Sequence, residues 1–243
     1  MKKILALTIV ASLFPLTNAF AGPPAPKADG IESKDYVWAK MEVEMKEALE
    51  AKGVAKKGEE GYEICGACHL PSGAGRPDGT FPQLAGQHTT VLIKQMADIR
   101  AGKRDNPTMY PFAKELTDPQ ELAHVAEYIS KLCIPADHGK YEGADAAKQL
   151  AAGKTLYQDQ CVKCHGTNGD GDKEKFYPVI AGQHYKYLLR QMTEIRDGKR
   201  RNANPDMVKV IKPYTDAQLV AISAYQASLS MPGAMCKAKG TKK

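Results

Sequence analysis

The sequence predicts an all-α protein in which one domain occurs twice. The five-residue pattern Cys-x-x-Cys-His at 65–69 recurs at 161–165, and 13 of 24 positions are identical between 81–104 and 177–200. Runs of helix formers lie between loops rich in Gly and Pro, and no alternating apolar and polar pattern indicates strands. Two copies of roughly 80–100 residues fit the usual size of a domain.

The first 21 residues have the features of a secretory signal peptide. Lys2 and Lys3 precede a mostly apolar stretch at 4–16, and the Ala-Phe-Ala tripeptide at 19–21 predicts cleavage after Ala21. The apolar stretch is shorter than the ~20 residues that a membrane span needs, which disfavours an uncleaved anchor. We therefore expect an exported protein without stable membrane insertion, in an oxidising compartment that favours disulfides.

An N-terminal extension at 22–53 has no counterpart in the second copy. It begins rich in proline, and an apolar stripe along 33–51 then predicts a helix. Two interpretations of this helix remain open. It packs on the first domain, or it is a docking helix for a partner.

The two copies define the domain boundaries. Domain 1 is predicted over 54–133 and domain 2 over 145–232, with a linker at 134–144 and a basic tail at 233–243. Glycine after a run of helix formers and Thr-Asp before one mark the ends and starts of helices. Helices are expected over 54–68, over 88–101 and from a cap at 117–118 to Leu132, and in domain 2 over 145–164, over 184–197 and from a cap at 215–216 to Leu229.

The repeated Cys-x-x-Cys-His motif is the attachment signature of c-type haem. Two thiols can add to the two vinyl groups of haem, and the adjacent histidine can bind its iron. A zinc site would need four ligands at other spacings, and a redox dithiol usually belongs to a βαβ unit. Two motifs in register predict two covalently bound haem c groups, held by Cys65, Cys68 and His69 in domain 1 and by Cys161, Cys164 and His165 in domain 2.

A second axial ligand for each iron is expected well after each motif. Met109 and Met207 occupy matching loops before the Thr-Asp caps. A methionine thioether raises the haem potential and occupies the remaining axial position. The rival ligands are His88 and His184, which begin matching helices.

Other matched pairs fit the same sites. Met96 and Met192 lie within helices and fit the core better than an iron site. Pro82 and Pro178 each follow the motif histidine by 13 residues. Their carbonyls are expected to accept a hydrogen bond from that histidine, which would fix its tautomer. We also expect Gly58 and Gly153 to mark close crossings of the first and last helix of each domain, where the tyrosines Tyr128 and Tyr225 also lie.

With these motifs the chain resembles the cytochrome c4 family of dihaem class I c-type cytochromes, over about 54–232. The resemblance implies two cytochrome c domains with haems facing one another near the interface, His/Met ligation in both, and periplasmic electron transfer. A related use of the fold is the dihaem electron-accepting subunit of an oxidoreductase complex, of the flavocytochrome c sulfide dehydrogenase type. The extra helix at 33–51 and two extra cysteines depart from the family pattern.

These two cysteines, Cys133 and Cys236, are not equivalent in the repeat. An intramolecular disulfide, two buried thiols and an intermolecular bridge all remain open. A disulfide between them would close a loop of about 100 residues, worth up to ~4–5 kcal/mol in the chain-entropy model.

Charge is uneven along the chain, because residues 137–243 carry 18 positive and 11 negative side chains. The basic second domain, with Lys199, Arg200, Arg201 and the Lys-rich tail, could steer an acidic redox partner, or the tail could be merely solvated. Other candidate partners are redox proteins such as a membrane-bound oxidase, and nothing supports a nucleic-acid role. No other nucleophile or acid–base cluster stands out, so the sequence predicts an electron carrier and not an enzyme.

Overall fold

The computed structural model describes residues 25–236, and ten helices lie within that range. The predicted signal peptide and most of the basic tail lie outside it. The helices are α1 (Val43–Glu50), α2 (Ala55–His69), α3 (Thr89–Arg100), α4 (Tyr110–Glu115), α5 (Pro119–Lys131), α6 (Ala146–Gln160), α7 (Val162–His165), α8 (Tyr185–Arg196), α9 (Pro205–Ile211) and α10 (Asp216–Gln226). The all-α fold predicted from the sequence is confirmed.

In each domain the first and last helices cross closely at a glycine. A Cβ at Gly58 would lie 1.9 Å from the His124 carbonyl oxygen, and one at Gly153 would lie 2.0 Å from that of Ala221. No side chain fits at either point, so only glycine allows the approach. This confirms the predicted crossings of α2 with α5 and of α6 with α10.

Each domain has its own apolar core around these crossings. In domain 1 it includes Tyr62, Leu92 and Leu122, and α1 adds its buried Met45 and Ala48. In domain 2 the core is built from buried side chains that include Tyr157, Leu188, Met192, Leu219 and Ile222. Helix α1 is therefore part of the first domain's packing.

The N-terminal extension differs from its prediction. A helix over 33–51 was expected, but α1 covers only Val43–Glu50, and turns occupy much of 31–40. The apolar stripe serves two surfaces, because Met45 packs on domain 1 whereas Trp38 packs on aromatic rings of domain 2. The turns let these two parts face different partners.

The helix that leads into the second motif is broken, unlike its counterpart in domain 1. Two residues separate Tyr62 from Cys65, whereas three separate Tyr157 from Cys161. Helix α6 ends at Gln160, and α7 carries the rest of the motif. The break between α6 and α7 accommodates the additional residue between Tyr157 and Cys161.

The two domains meet through a reciprocal set of hydrogen bonds. The Gln87 side chain donates to the Val179 carbonyl and accepts from the Val179 N–H, both at 2.9 Å. At the matching position, Gln183 bonds the Gln83 carbonyl at 2.9 Å and the Gln83 N–H at 3.0 Å. Each glutamine thus satisfies a backbone donor and acceptor of the other domain, in an approximately two-fold arrangement.

We call this contact between the two domains, centred on Gln87 and Gln183, the seam. The linker begins there with a fully buried residue, Ile134. Gly86 and Gly182, both in the left-handed region, lie against it from the two domains. Ile134 also pairs with the C-terminal segment, donating to Ala234 O and accepting from Cys236 N at 2.8 Å each. Beside it, Cys133 and Cys236 form a disulfide, which decides between the alternatives that the sequence left open.

Between residues 25 and 236, none of the helices is both long enough and apolar enough to cross a membrane.

Two candidate haem sites

The first site is built at the end of α2, where the motif places its cysteines and His69 on one helical turn. His69 is buried and is the last residue of the helix. Its Nδ1–H donates to the Pro82 carbonyl at 2.9 Å, which leaves Nε2 as the ring nitrogen free to bind a metal. Burial lowers the pKa of His69, and the Pro82 bond only partly opposes this shift. A neutral imidazole, the form that binds iron, is therefore favoured.

The second site repeats this arrangement with one difference. His165 ends α7, is buried, and faces the Pro178 carbonyl with Nδ1 at 3.4 Å. This contact is longer than the 2.9 Å in domain 1 and is correspondingly weaker. Burial again lowers the pKa of the histidine. The structure thus brings together both proline–histidine pairs that the sequence proposed.

A loop closes over each motif histidine in the same way. The backbone turns back through a left-handed residue, Leu70 in domain 1 and Gly166 in domain 2. A buried tyrosine hydroxyl binds the carbonyl of that residue, from Tyr62 at 2.9 Å and from Tyr157 at 2.7 Å. Sequence reasoning missed this role of Tyr62 and Tyr157, and the signal for it is a tyrosine three or four residues before the first cysteine of each motif.

The four motif cysteines are free thiols. Burial raises the pKa of Cys65, and it raises that of Cys161 to about 12. A thiol, a second thiol three residues later and a buried neutral imidazole form the donor set that haem c requires. These residues therefore fit the group.

The two methionines proposed as axial ligands lie in different local structures. Loops were predicted at both positions, but Met207 lies inside α9, whereas Met109 is the N-cap residue of α4. Both are half-buried, and an asparagine begins the turn in each case. The Asn106 side chain accepts from the Met109 N–H at 3.1 Å, and the Asn204 side chain accepts from the Asp206 N–H at 2.8 Å.

In domain 2 a groove lies beside the residues that come just before the motif and just before the proposed methionine ligand. It has a volume of about 540 Å³ and separates the end of α6 from α9 and the turn that follows it. Its lining includes Gln160, which precedes Cys161, and Asp206, which precedes Met207. Met207 itself packs against the core of the domain.

The rival histidines are engaged elsewhere. His88 Nε2 donates to the Asp170 carbonyl of domain 2 at 2.8 Å. His184 Nε2 donates to the Ala74 carbonyl of domain 1 at 2.8 Å, and its Nδ1 accepts from the Gly139 N–H. Each histidine thus binds the loop after the other domain's motif. His184 has no ring nitrogen left for iron.

The other matched methionines behave as core residues. Met192 is buried, and its sulfur accepts from the Ser223 hydroxyl at 3.5 Å. Met96 packs against the core of domain 1. Within the described part of the chain, no three His, Cys, Asp or Glu side chains are arranged to hold a metal ion.

The prediction that Lys199, Arg200 and Arg201 form a basic docking patch is wrong for the two arginines. Arg201 is buried and binds Glu32, the Gly102 carbonyl and Asp105. Arg200 donates to Gln191 at 2.9 Å and to Gln95 at 3.1 Å, across the seam. Burial and the nearby Arg104 lower the pKa of Arg200 to about 10. Only Lys199 is exposed, because the domain interface occupies the two arginines.

Two tandem domains, each with a Cys-x-x-Cys-His helix, a buried histidine bonded to a proline carbonyl and a methionine-bearing segment further on, define a dihaem c-type cytochrome.

Comparisons with known proteins give the family. The family model "Cytochrome c" matches residues 55–132 and 150–230. The chain is 33% identical over 193 residues to cytochrome c4 of Azotobacter vinelandii, covering 72% of this chain and 89% of that protein. It is 32% identical over 171 residues to the thiosulfate dehydrogenase electron acceptor of Stutzerimonas stutzeri strain A1501, covering 68% of this chain and 78% of that protein.

Among solved structures, reduced recombinant cytochrome c4 from Pseudomonas stutzeri superposes with a TM-score of 0.62 at 31% identity. The match covers 74% of this chain and all of that one. The chain belongs to the cytochrome c4 family, and it is an electron-transfer cytochrome with two covalently bound haem c groups.

Proposed function

We propose that this protein is a periplasmic carrier that passes single electrons between redox partners. Cys65 and Cys68 would hold the first haem and Cys161 and Cys164 the second. Haem supplies an iron that exchanges one electron without forming a bond to a substrate. The observation that carries the proposal is the pair of buried histidines, each with Nδ1 facing a proline carbonyl, at 2.9 and 3.4 Å.

The chain's own residues would set the axial ligands. His69 and His165 keep Nε2 free because Nδ1 donates to Pro82 and Pro178. Met109 and Met207 would supply the opposite ligands. Half-buried thioethers there would exclude water and raise the potentials.

Ligand binding separates a carrier from a catalyst. If both irons are six-coordinate, the reduced protein should bind little carbon monoxide, and the oxidised protein should not turn over peroxide or thiosulfate. The Met207→Ala variant is the positive control, since it should gain carbon monoxide binding at one site. Substantial turnover by the pure wild-type protein would refute the carrier proposal.

A second candidate is a dihaem electron-accepting subunit of a periplasmic oxidoreductase complex. The similarity to a thiosulfate dehydrogenase electron acceptor favours it. Purification of the native protein from its own cells distinguishes the two functions. A stoichiometric enzyme subunit that remains bound through purification would select the complex, whereas a cytochrome recovered alone would support the free carrier.

A further inference from the structure

The N-terminal extension crosses the seam between the domains. Near its start, the Ala28 N–H donates to the Gly102 carbonyl of domain 1 at 3.1 Å. The Ile31 N–H then donates to the Arg201 carbonyl of domain 2 at 2.8 Å. Further on, α1 packs on α3 and α5 of domain 1. We call residues 25–42 the strap. It precedes the first family-model match, which begins at residue 55.

Trp38, the only tryptophan of the chain, is the strap's contact with the second haem site. Its ring stacks on Tyr177 with centroids 6.3 Å apart and an interplanar angle of 27°. It meets the Phe176 ring edge-on at 6.2 Å. The Lys94 ammonium lies 5.2 Å from the Trp38 ring centroid, a cation–π contact.

Tyr177 connects this contact to the axial histidine. Its ring lies 6.4 Å from the His165 ring. The next residue is Pro178, whose carbonyl faces His165 Nδ1. Trp38 therefore packs on the residue that adjoins both the histidine and the proline.

The loop under Trp38 is strained. Phe176 has a φ of +57°, a left-handed conformation that costs a non-glycine residue on the order of 1–2 kcal/mol. Such a conformation persists only when neighbouring contacts enforce it. The edge-on contact with Trp38 is one such contact, and the bond from the Tyr177 N–H to the Asp172 carbonyl is another.

Among the described residues, no aromatic ring from outside the repeats packs on the matching residue of domain 1. Phe81 matches Tyr177 and lies 6.0 Å from the His69 ring, but it is covered by the Arg76 guanidinium at 5.9 Å. Thr80 occupies the position of Phe176 and has an ordinary negative φ. The two sites have the same types of proposed ligand, and within residues 25–236 only the second is covered by an aromatic residue from outside both repeats.

We propose that Trp38 is a positioning residue for the second haem site, which holds the 172–178 loop against His165 and keeps water from that side of the site. This inference rests on the proposed ligation by His165. Without Trp38 the loop should loosen and admit water. Water stabilises the more highly charged oxidised iron, so the potential of the second haem should fall. The first haem should be unaffected.

The test compares Trp38→Ala with Trp38→Phe, Trp38→Leu and the control Val37→Ala, whose side chain is 60% exposed beside Trp38. The potentials of both haems are measured by NMR during redox titration of the haem-loaded protein. Haem resonances are assigned through their proximity to the Tyr177 and Phe81 rings. We expect Trp38→Ala and Trp38→Leu to lower only the potential of the second haem. Trp38→Phe should keep that potential close to the wild-type value, because it retains an aromatic ring. Val37→Ala should leave both potentials as in wild type.

Amide hydrogen exchange gives a readout that does not depend on the iron. In Trp38→Ala, amides at 172–179 should exchange about tenfold faster, whereas those of the matched loop at 76–83 should not change. Equal shifts of both potentials, no shift of either, or a Trp38→Leu variant as good as Trp38→Phe would each overturn the proposal. A wild-type protein without two histidine-ligated haems would instead overturn the proposed function.

Discussion

In domain 1 a single helix, α2, carries both cysteines and His69, whereas in domain 2 the helix ends at Gln160 and the short α7 completes the motif. The proposed methionine ligand begins a helix in the first domain and lies within one in the second. The contact from the histidine to the proline carbonyl also differs, at 2.9 Å against 3.4 Å. The residues proposed to bind the haems are duplicated, but their surroundings differ.

This difference indicates that the domains should form two unequal redox centres. The strength of the hydrogen bond to an axial histidine, the packing of the methionine and the access of water all tune a haem potential. We therefore expect two distinct potentials in one chain. The following variants come in matched pairs, so that each tests one difference or one similarity between the domains.

Removal of the thiols should have the largest effect. Cys65→Ala/Cys68→Ala and Cys161→Ala/Cys164→Ala should each leave one covalent haem, because each thiol pair serves its own domain. Intact mass after acid–acetone extraction should then exceed the polypeptide mass by one haem, against two in wild type. Loss of both haems from either double variant would contradict independent sites, and retention of two would refute the assignment of the thiols.

The methionines provide the next comparison. Met109→Ala and Met207→Ala should each remove half of the near-infrared charge-transfer band between methionine and oxidised iron, and should lower one potential. Because Met207 packs against the core of domain 2, its loss should also cost about 1–2 kcal/mol of that domain's unfolding free energy. Thermal unfolding measures this second effect.

The control for the methionine variants is Met41→Ala, whose side chain is 49% exposed. It should change neither the band nor the stability of either domain. If the band survives both methionine substitutions but disappears in His88→Ala or Met96→Ala, the assignment of Met109 and Met207 as iron ligands is wrong.

The seam should respond equally from both sides. Gln87→Ala and Gln183→Ala each remove two hydrogen bonds to the opposite domain, with a net loss of about 2 kcal/mol at ~1 kcal/mol per bond. Calorimetry should show the two domains unfolding less cooperatively in both variants. The exposed Gln160→Ala is the control. If the two variants lose clearly different amounts of unfolding free energy, the two sets of hydrogen bonds do not contribute equally to stability.

The smallest expected effect is a difference in stability between Gly182→Ala and Gly198→Ala, which distinguishes backbone strain from steric crowding. Gly182 and Gly198 both have a φ of +73°, so alanine at either position should cost about 1–2 kcal/mol. A Cβ at Gly182 would also lie 2.3 Å from Ile134 Cγ2, whereas no atom lies within 4 Å of one at Gly198. Gly182→Ala should therefore lower the midpoint of thermal unfolding further than Gly198→Ala. Equal midpoints would mean that Ile134 moves aside freely.

The sequence was sufficient to predict the duplicated fold and the motif chemistry. An identical spacing of Cys, His and Pro in both copies encodes local geometry, and that geometry places Pro82 against His69. Contacts between distant segments were not predictable in this way. Arg200 and Arg201 look like a surface patch in sequence because their partners, among them Gln95 and Glu32, lie about a hundred residues or more away.

The extension illustrates the same limit. Its apolar stripe fits a helix, and periodicity alone does not reveal that Trp38 and Met45 pack on different domains. The positions of His88 and His184 are another case. Both resemble iron ligands in spacing, and only the interface shows that they bind the opposite domain.

The disulfide between Cys133 and Cys236 also determines how the chain would carry mechanical tension. It joins the end of domain 1 to a residue beyond domain 2, so the whole second domain lies within a covalent ring. A pulling force applied to the two chain ends would pass from Cys133 to Cys236 through sulfur and bypass the second haem domain. Domain 1 and the strap would extend under such a force, while domain 2 would stay folded until the disulfide was reduced.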